Sequence, residues 1–199
     1  MPEYLPLEER NLIQQILSGD TDAYTQIVRA NQSKVLGVCL SLLGNAAEAE
    51  DAAQEIFIKA YQSLSSFHGN SSLSTWLYRI SANHCKDLLR KRSRQKTESL
   101  DALLEESEDG VQKLFEPSFN PTAAIEAAEL VAKFLDSLSS DERLILTLRE
   151  AQGLSYQEIA QTLQCSLDAV KARLRRARQS VEEKLRHFSP TKNVQMTGE

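Results

Sequence analysis

Residues 153–179 constrain this chain more than any other stretch. Gly153-Leu154-Ser155-Tyr156-Gln157-Glu158-Ile159-Ala160 places a Ser-x-x-Glu pair at the start of an apolar-periodic run, the signature of a capped helix start. A short turn, Leu163-Gln164-Cys165-Ser166, leads into a second helical run over 167–179. Ile159, Ala160, Leu163, Val170 and Leu174 are spaced to pack the two helices together, with the small Ala160 where they must approach closely. The pattern is that of a helix-turn-helix, although its turn lacks the Gly often found there. The second helix carries Lys171, Arg173, Arg175, Arg176 and Arg178 with no acid between them. Such a density suits phosphate neutralisation and Arg–guanine contacts in a major groove; the plainer alternative is a solvated basic face.

The rest of the chain agrees with a helical protein. Its 199 residues include only 7 Gly and 5 Pro against many Leu, Ala, Glu, Gln and Arg, which predicts an all-α fold. Glu8, Glu9 and Arg10 interrupt the first twenty residues, so no signal peptide is expected there. The stretch 35–43 is too short to cross a bilayer, so no membrane insertion is expected. Cys39, Cys85 and Cys165 lie far apart, which fits small buried hydrophobes in a reducing cytoplasm better than a disulfide framework. His68, His84 and His187 show no ligand spacing, so neither a metal nor another cofactor is expected.

The net charge of −5 conceals its own distribution. Residues 1–96 hold 11 Lys+Arg and 10 Asp+Glu, residues 97–120 hold 1 and 7, and residues 121–199 hold 11 and 11. The acidity therefore sits in the middle, where Gly110, Pro117 and Pro121 also break any periodicity. This predicts two small helical domains, 1–96 and 121–188, joined by an acidic flexible linker over 97–120 and followed by a disordered tail at 189–199.

Within the first domain, Gly19-Asp20 and Gly44-Asn45 mark helix boundaries, the latter with Glu48 placed as in a capping box. Ala49, Ala52, Ala53, Ile56, Phe57, Ala60, Tyr61 and Leu64 form one apolar stripe, which predicts core. Asp51, Gln54, Glu55 and Lys59 lie on the opposite face and, taken alone, describe ordinary solvated surface. A loop, Phe67-His68-Gly69-Asn70-Ser71-Ser72, precedes a long helix expected from about Leu73 to Arg94. That helix ends on Lys86, Arg90, Lys91, Arg92, Arg94 and Lys96 against one acid, Asp87. Trp76 and Tyr78 lie upstream, either as aromatic faces for unstacked bases beside a cationic track or as core. No Ser-His-Asp, Cys-His, Walker-type or metal-ligand constellation is present, so an enzyme is not expected.

Together these residues resemble the sigma-70 family of transcription initiation factors, in its extracytoplasmic-function (ECF) group. Asp51-Ala-Ala-Gln-Glu-Ile-Phe-Ile-Lys-Ala-Tyr resembles the family's core-polymerase-binding helix. The stretch from Phe67 through Trp76, Tyr78 and Arg79 to Asn83 resembles its promoter-melting and −10-reading segment, and Leu138 through Arg178 its −35-reading domain. The resemblance implies that Asp51, Gln54 and Glu55, supported by Phe57 and Lys59, face the clamp of the largest catalytic subunit of core RNA polymerase. It implies that His68, Gly69, Asn70, Ser71 and Ser72 capture an unstacked base with Asn83, that Trp76, Tyr78 and Arg79 sit where the duplex opens, and that Lys86 and Arg90 track the backbone. In the second domain Lys171, Ala172, Arg175 and Arg176 would face the −35 element, Arg173 and Arg178 would contact phosphate or pack, and Ser155 would stand at the motif's start. Partners implied are core polymerase (clamp, and flap of the second large subunit), promoter DNA and an anti-sigma factor, with a monomer when free. The acidic linker would thread towards the RNA exit path. The alternative, a stand-alone dimeric helix-turn-helix regulator, leaves 45–96 unexplained.

Overall fold

The computed structural model describes residues 5–100, 134–135 and 137–188. Most of the expected linker (101–120), the beginning of the expected second domain (121–133) and the tail (189–199) lie outside the described residues. Among the described residues there are seven α-helices and no strand.

Local chemistry sets the helix boundaries of the first unit. Helix α1 (Leu7–Leu17) opens with Glu8 and Glu9 in its first turn, where a carboxylate complements the helix dipole. Helix α2 (Thr21–Leu43) starts at Asp20, whose carboxylate accepts from the Ala23 amide at 3.1 Å, and ends at Gly44 in the left-handed region (φ 72°). Helix α3 (Ala46–Ser63) starts at Asn45, which accepts from the Glu48 amide at 3.0 Å. The reciprocal half of the expected capping box is not formed; the Glu48 carboxylate instead lies 3.8 Å from Arg92. After a single 3-10 turn (Leu64–Ser66) and the loop 67–72, helix α4 (Leu73–Leu100) runs on past Arg94, since no Gly or Pro intervenes before Gly110.

The expected stripe on α3 is core: Ala49, Ala52, Ala53, Ile56, Phe57 and Ala60 are buried. Tyr61 is the exception, 42% exposed and edge-on to Tyr24 with ring centroids 5.0 Å apart. Helices α2, α3 and α4 pack on one another around Val35, Val38, Leu42, Ile56 and Leu77. Cys39 and Cys85 are buried there as free thiols, while Cys165 is half-buried.

The second unit comprises α5 (Ser140–Leu146), a π-helical turn (Thr147–Ala151), α6 (Tyr156–Leu163) and α7 (Leu167–Phe188). Full capping boxes start α5 (Ser139/Glu142) and α6 (Ser155/Glu158). Helices α6 and α7 form the expected helix-turn-helix around buried Ile159, Val170 and Leu174, with Ala160 and Leu163 partly buried beside them. In place of the missing Gly, Gln164 itself takes the left-handed conformation (φ 50°, ψ 50°), at a cost of roughly 1–2 kcal/mol for a residue with a Cβ.

The two units are not held apart. Helix α5 packs on α2 and α6 packs on α4, and a single apolar cluster runs through both units.

Candidate functional site

Three surfaces gather the residues singled out from the sequence. On α3, Asp51, Gln54, Glu55 and Lys59 are exposed along one face, whereas Phe57 points into the core and its carbonyl accepts from the Tyr24 hydroxyl at 2.6 Å. A cleft between α3 and α4 is lined by Glu48, Asp51 and Glu55 on one side and Leu88, Leu89 and Arg92 on the other. The acids therefore border an apolar floor, a surface able to seat a partner helix bearing cations.

Beneath this face lies His84, which no spacing in the sequence pairs with another group. Lys59 Nζ donates to its Nδ1 at 2.6 Å, and its Nε2 lies 3.5 Å from Glu55 Oε2. Burial, followed by the neighbouring Lys59 ammonium, lowers the His84 pKa against the opposing pull of Glu55 and Asp87. The imidazole is thus held neutral, as an acceptor for Lys59. One α4 side chain thus holds Lys59 of the α3 face by a hydrogen bond and lies close to Glu55, a single turn away. The i, i+4 spacing of Glu55 and Lys59 was visible in the sequence, but the cross-helix register that brings His84 between them was not.

The second surface is the loop 67–72 with the first turns of α4. Phe67 is buried and its ring lies 5.1 Å from that of Trp76, tilted by 45°. Ser72 caps α4, its hydroxyl accepting from the Thr75 amide at 3.1 Å. Gly69, at φ 71°, is the hinge that a residue with a Cβ would strain. A cleft of about 440 Å³ opens here, lined by His68, Asn70, Ser71, Trp76 and Arg79. Its other wall comes from the helix-turn-helix, through Gln161 and Gln164. Trp76 and Tyr78 are core residues rather than open faces, at 5% and 3% exposure. Further along α4, Asn83 is exposed, Lys86 is half-buried and ion-paired with Asp141 at 2.7 Å, and exposed Arg90 pairs with Asp87 at 3.2 Å.

The third surface is α7. Lys171, Arg175, Arg176 and Arg178 are exposed, and Ala172 and Arg173 are half-buried. Lys171 pairs with Asp168 at 3.1 Å and Arg178 with Glu150 at 2.8 Å, so Arg178 ties α7 back to the π turn. Arg173 and Arg176 share a small cleft with Asp141 and Glu142. Lys86, hydrogen-bonded to Asp141, holds that carboxyl below the usual carboxylate range, helped by Arg173 and Arg90. Ser155 serves as the α6 cap: its hydroxyl accepts from the Glu158 amide at 3.2 Å and its amide donates to the Glu158 carboxylate at 2.8 Å.

Among the described residues, no group of three or more His, Cys, Asp or Glu could hold a metal ion. No described helix is long and apolar enough to cross a membrane.

The comparisons with known proteins agree with this geometry. The family model Sigma-70 region 2 matches residues 27–95, which hold the α3 face, the loop and most of α4; Sigma-70, region 4 matches residues 128–181, which hold the helix-turn-helix. The RNA polymerase sigma-H factor of Pseudomonas aeruginosa is 37% identical over 89% of this chain and 94% of its own length. The ECF RNA polymerase sigma-E factor of Escherichia coli is 35% identical over 90% and 95%. Among solved structures, the sigma factor RpoE of Bartonella quintana in complex with the anti-sigma factor NepR aligns with a TM-score of 0.66 and 26% identity, covering 82% of this chain and 96% of that one. CnrH in complex with the cytosolic domain of CnrY aligns with a TM-score of 0.67 and 26% identity, covering 91% and 99%. A stand-alone helix-turn-helix regulator would leave the region 2 match over 27–95 without a role, so that alternative is not favoured. With both regions matched in order and relatives aligned over nearly their whole length, this chain belongs to the sigma-70 family, as an RNA polymerase sigma factor of the ECF group.

Proposed function

We propose that this chain binds core RNA polymerase and directs it to promoters, seating α3 on the clamp of the largest catalytic subunit, opening and reading the −10 element with the loop 67–72, and reading the −35 element with α7. The observation that carries this reading is the clustering of each expected set on its own surface. Asp51, Gln54 and Glu55 share one exposed face, His68, Asn70, Ser71 and Arg79 line one cleft, and Lys171, Arg175 and Arg176 are exposed on one helix.

The chemistry suits each role. The α3 carboxylates and the adjoining Leu88/Leu89 floor fit a cationic amphipathic helix. Hydroxyl, amide and imidazole groups around a cleft can hydrogen-bond the edge of an extruded base, offsetting an unstacking cost of a few kcal/mol without ATP. Exposed arginines on the second helix of a helix-turn-helix can reach guanine N7 and O6. Arg178, engaged with Glu150, fits a packing and phosphate role better than base reading. The second unit would also meet the flap of the second large subunit, and residues 97–120 would form the acidic linker between the domains. The factor would be cytoplasmic and monomeric when free, with an anti-sigma factor as a further partner, as in the two solved complexes it resembles.

The test is run-off transcription by core polymerase on a pool of genomic fragments, with and without this protein. Discrete new transcripts that vanish in the D51A/Q54A/E55A variant are expected. Absence of new starts, together with failure to co-elute with core polymerase, would overturn the proposal.

A further inference from the structure

Glu55 and Lys59 stand four residues apart on α3, both exposed, with the acid N-terminal to the base. That order favours an ion pair along a helix, in which the ammonium would lie over the carboxylate. Lys59 Nζ turns instead to α4 and donates to His84 Nδ1 at 2.6 Å. A ring nitrogen that accepts from an ammonium carries no proton, so the hydrogen of the neutral imidazole sits on Nε2. Nε2 lies 3.5 Å from Glu55 Oε2. One nitrogen of the ring therefore takes up the lysine while the other turns an N–H towards the glutamate.

The ring is well placed to do this. His84 is buried, and its Nε2 makes no hydrogen bond, although it points at a carboxylate that is itself open to solvent. Among the described residues, the charges acting on the ring are Lys59 and Glu55 of α3 and Asp87 of its own helix. Burial and the ammonium prevail over the two carboxylates and keep the imidazole neutral, the form in which Nδ1 can accept. One turn further along α4, Leu88 lines the cleft that Asp51 and Glu55 border. The ring thus stands at the edge of the surface offered to a partner, and the cation it draws in is the one able to cover Glu55. A partner helix bearing cations would otherwise have to displace a cation that the chain already holds against its own acid.

We infer that His84 is a positioning residue for the polymerase-binding face: it draws Lys59 away from Glu55 and leaves that carboxylate unmasked for a cationic partner. Lys59 then supports the face by being stowed, not by reaching the partner. The role of the face rests on the seating of α3 on core polymerase proposed above; the imidazole bridge is read without it.

The test is the affinity of the full-length chain, labelled at its N-terminus, for core polymerase, read by fluorescence anisotropy. His84→Leu removes the acceptor and should bind about three- to tenfold more weakly, the scale of re-ordering one or two long side chains on binding. His84→Gln, whose side-chain oxygen can still accept from Lys59, should restore most of the loss. Adding Lys59→Met to His84→Leu should also recover affinity, because no ammonium is left to cover Glu55. A role in packing alone predicts no such recovery, since the leucine remains in the double variant. In the free chain, long-range proton–nitrogen correlation spectra should place the His84 proton on Nε2, and the ring should titrate higher in Lys59→Met and lower in Glu55→Gln. This arm needs neither polymerase nor a His84 variant, so it decides even if His84→Leu does not fold. A proton on Nδ1, undiminished binding by His84→Leu, or a double variant as weak as His84→Leu would each overturn the positioning role while the proposed function stood. Failure of the unmutated chain to bind core polymerase would overturn the proposed function and the positioning role with it, leaving only the bridge.

Discussion

Trp76 offers a direct test of whether its ring serves the fold or the DNA. It is the single tryptophan of the chain, 5% exposed, with its ring 5.1 Å from that of Phe67. An aromatic side chain of this kind buries about 150–250 Å², and truncating a buried Trp to Ala costs about 3–5 kcal/mol through lost transfer energy and the cavity left behind. At roughly 2–4 °C per kcal/mol for a chain of this size, Trp76→Ala should lower the thermal midpoint by about 6–20 °C with no DNA present. Circular dichroism at 222 nm reads this without needing the indole. Trp76→Phe retains most of the packing and should lose about a third as much. A stacking platform open to solvent would behave in the opposite way, with stability unchanged and only promoter opening lost. A midpoint within 2 °C of the parent protein for Trp76→Ala would refute the assignment of Trp76 to the core. In the unmutated chain the indole emission should be blue-shifted, as for a ring packed out of water.

Three further outcomes are expected. Arg176→Ala should cost about 1–3 kcal/mol at one −35 position in a binding competition with polymerase present, and equal loss on matched and scrambled −35 DNA would refute base reading. Ser155→Ala should destabilise the helix-turn-helix by about 1 kcal/mol through loss of the α6 cap, while Ser155→Asp, an equally good cap, should restore it; chemical denaturation followed by circular dichroism decides. The folded-state pKa of His84 lies below its ordinary value of 6.5, so the unfolded chain takes up the proton first and stability falls as pH drops below that value. The urea midpoint should therefore decline from pH 7.5 to 5.5, and His84→Gln should flatten that decline; an identical slope in the variant would show that other groups carry it.

Much of the fold was legible because its signals are local. Asp20, Asn45, Ser139 and Ser155 each announce a helix start, the alanine-rich stripe of α3 is a 3.6-residue pattern, and the helix-turn-helix declares itself by two short amphipathic runs. What stayed hidden depends on residues far apart in the chain. Tyr78 and Gln152 are 74 positions apart and share no period, and Gly37 in mid-helix reads as a mild flaw in α2 until the side chain it admits is seen. Asp141 falls within a capping segment and so reads as surface, although it bridges two basic stripes. Trp76 and Tyr78 could be read from sequence as faces or as core, and only packing decides between them. The segments singled out from the sequence each fall on one surface, but the wall that the second unit adds to the cleft of the loop 67–72 is a tertiary property that no local pattern carries.

The π turn at Thr147–Ala151 closes on a bond from the Gln152 amide to the Thr147 carbonyl at 2.9 Å, five residues back where an α-helix would reach four. It therefore holds one residue beyond the α repeat, and that surplus works as a phase adjuster. Each residue of a helix advances the chain by about 100° and 1.5 Å. Deleting one position here would swing Gln152 about a quarter turn away from the Tyr78 hydroxyl and re-aim everything after it, while leaving the internal packing of α6 on α7 intact. The relative angle of the two units is thus carried by the count of residues in one turn, which lets chain length at this point retune how α5 and α6 meet the first unit separately from the packing within either unit.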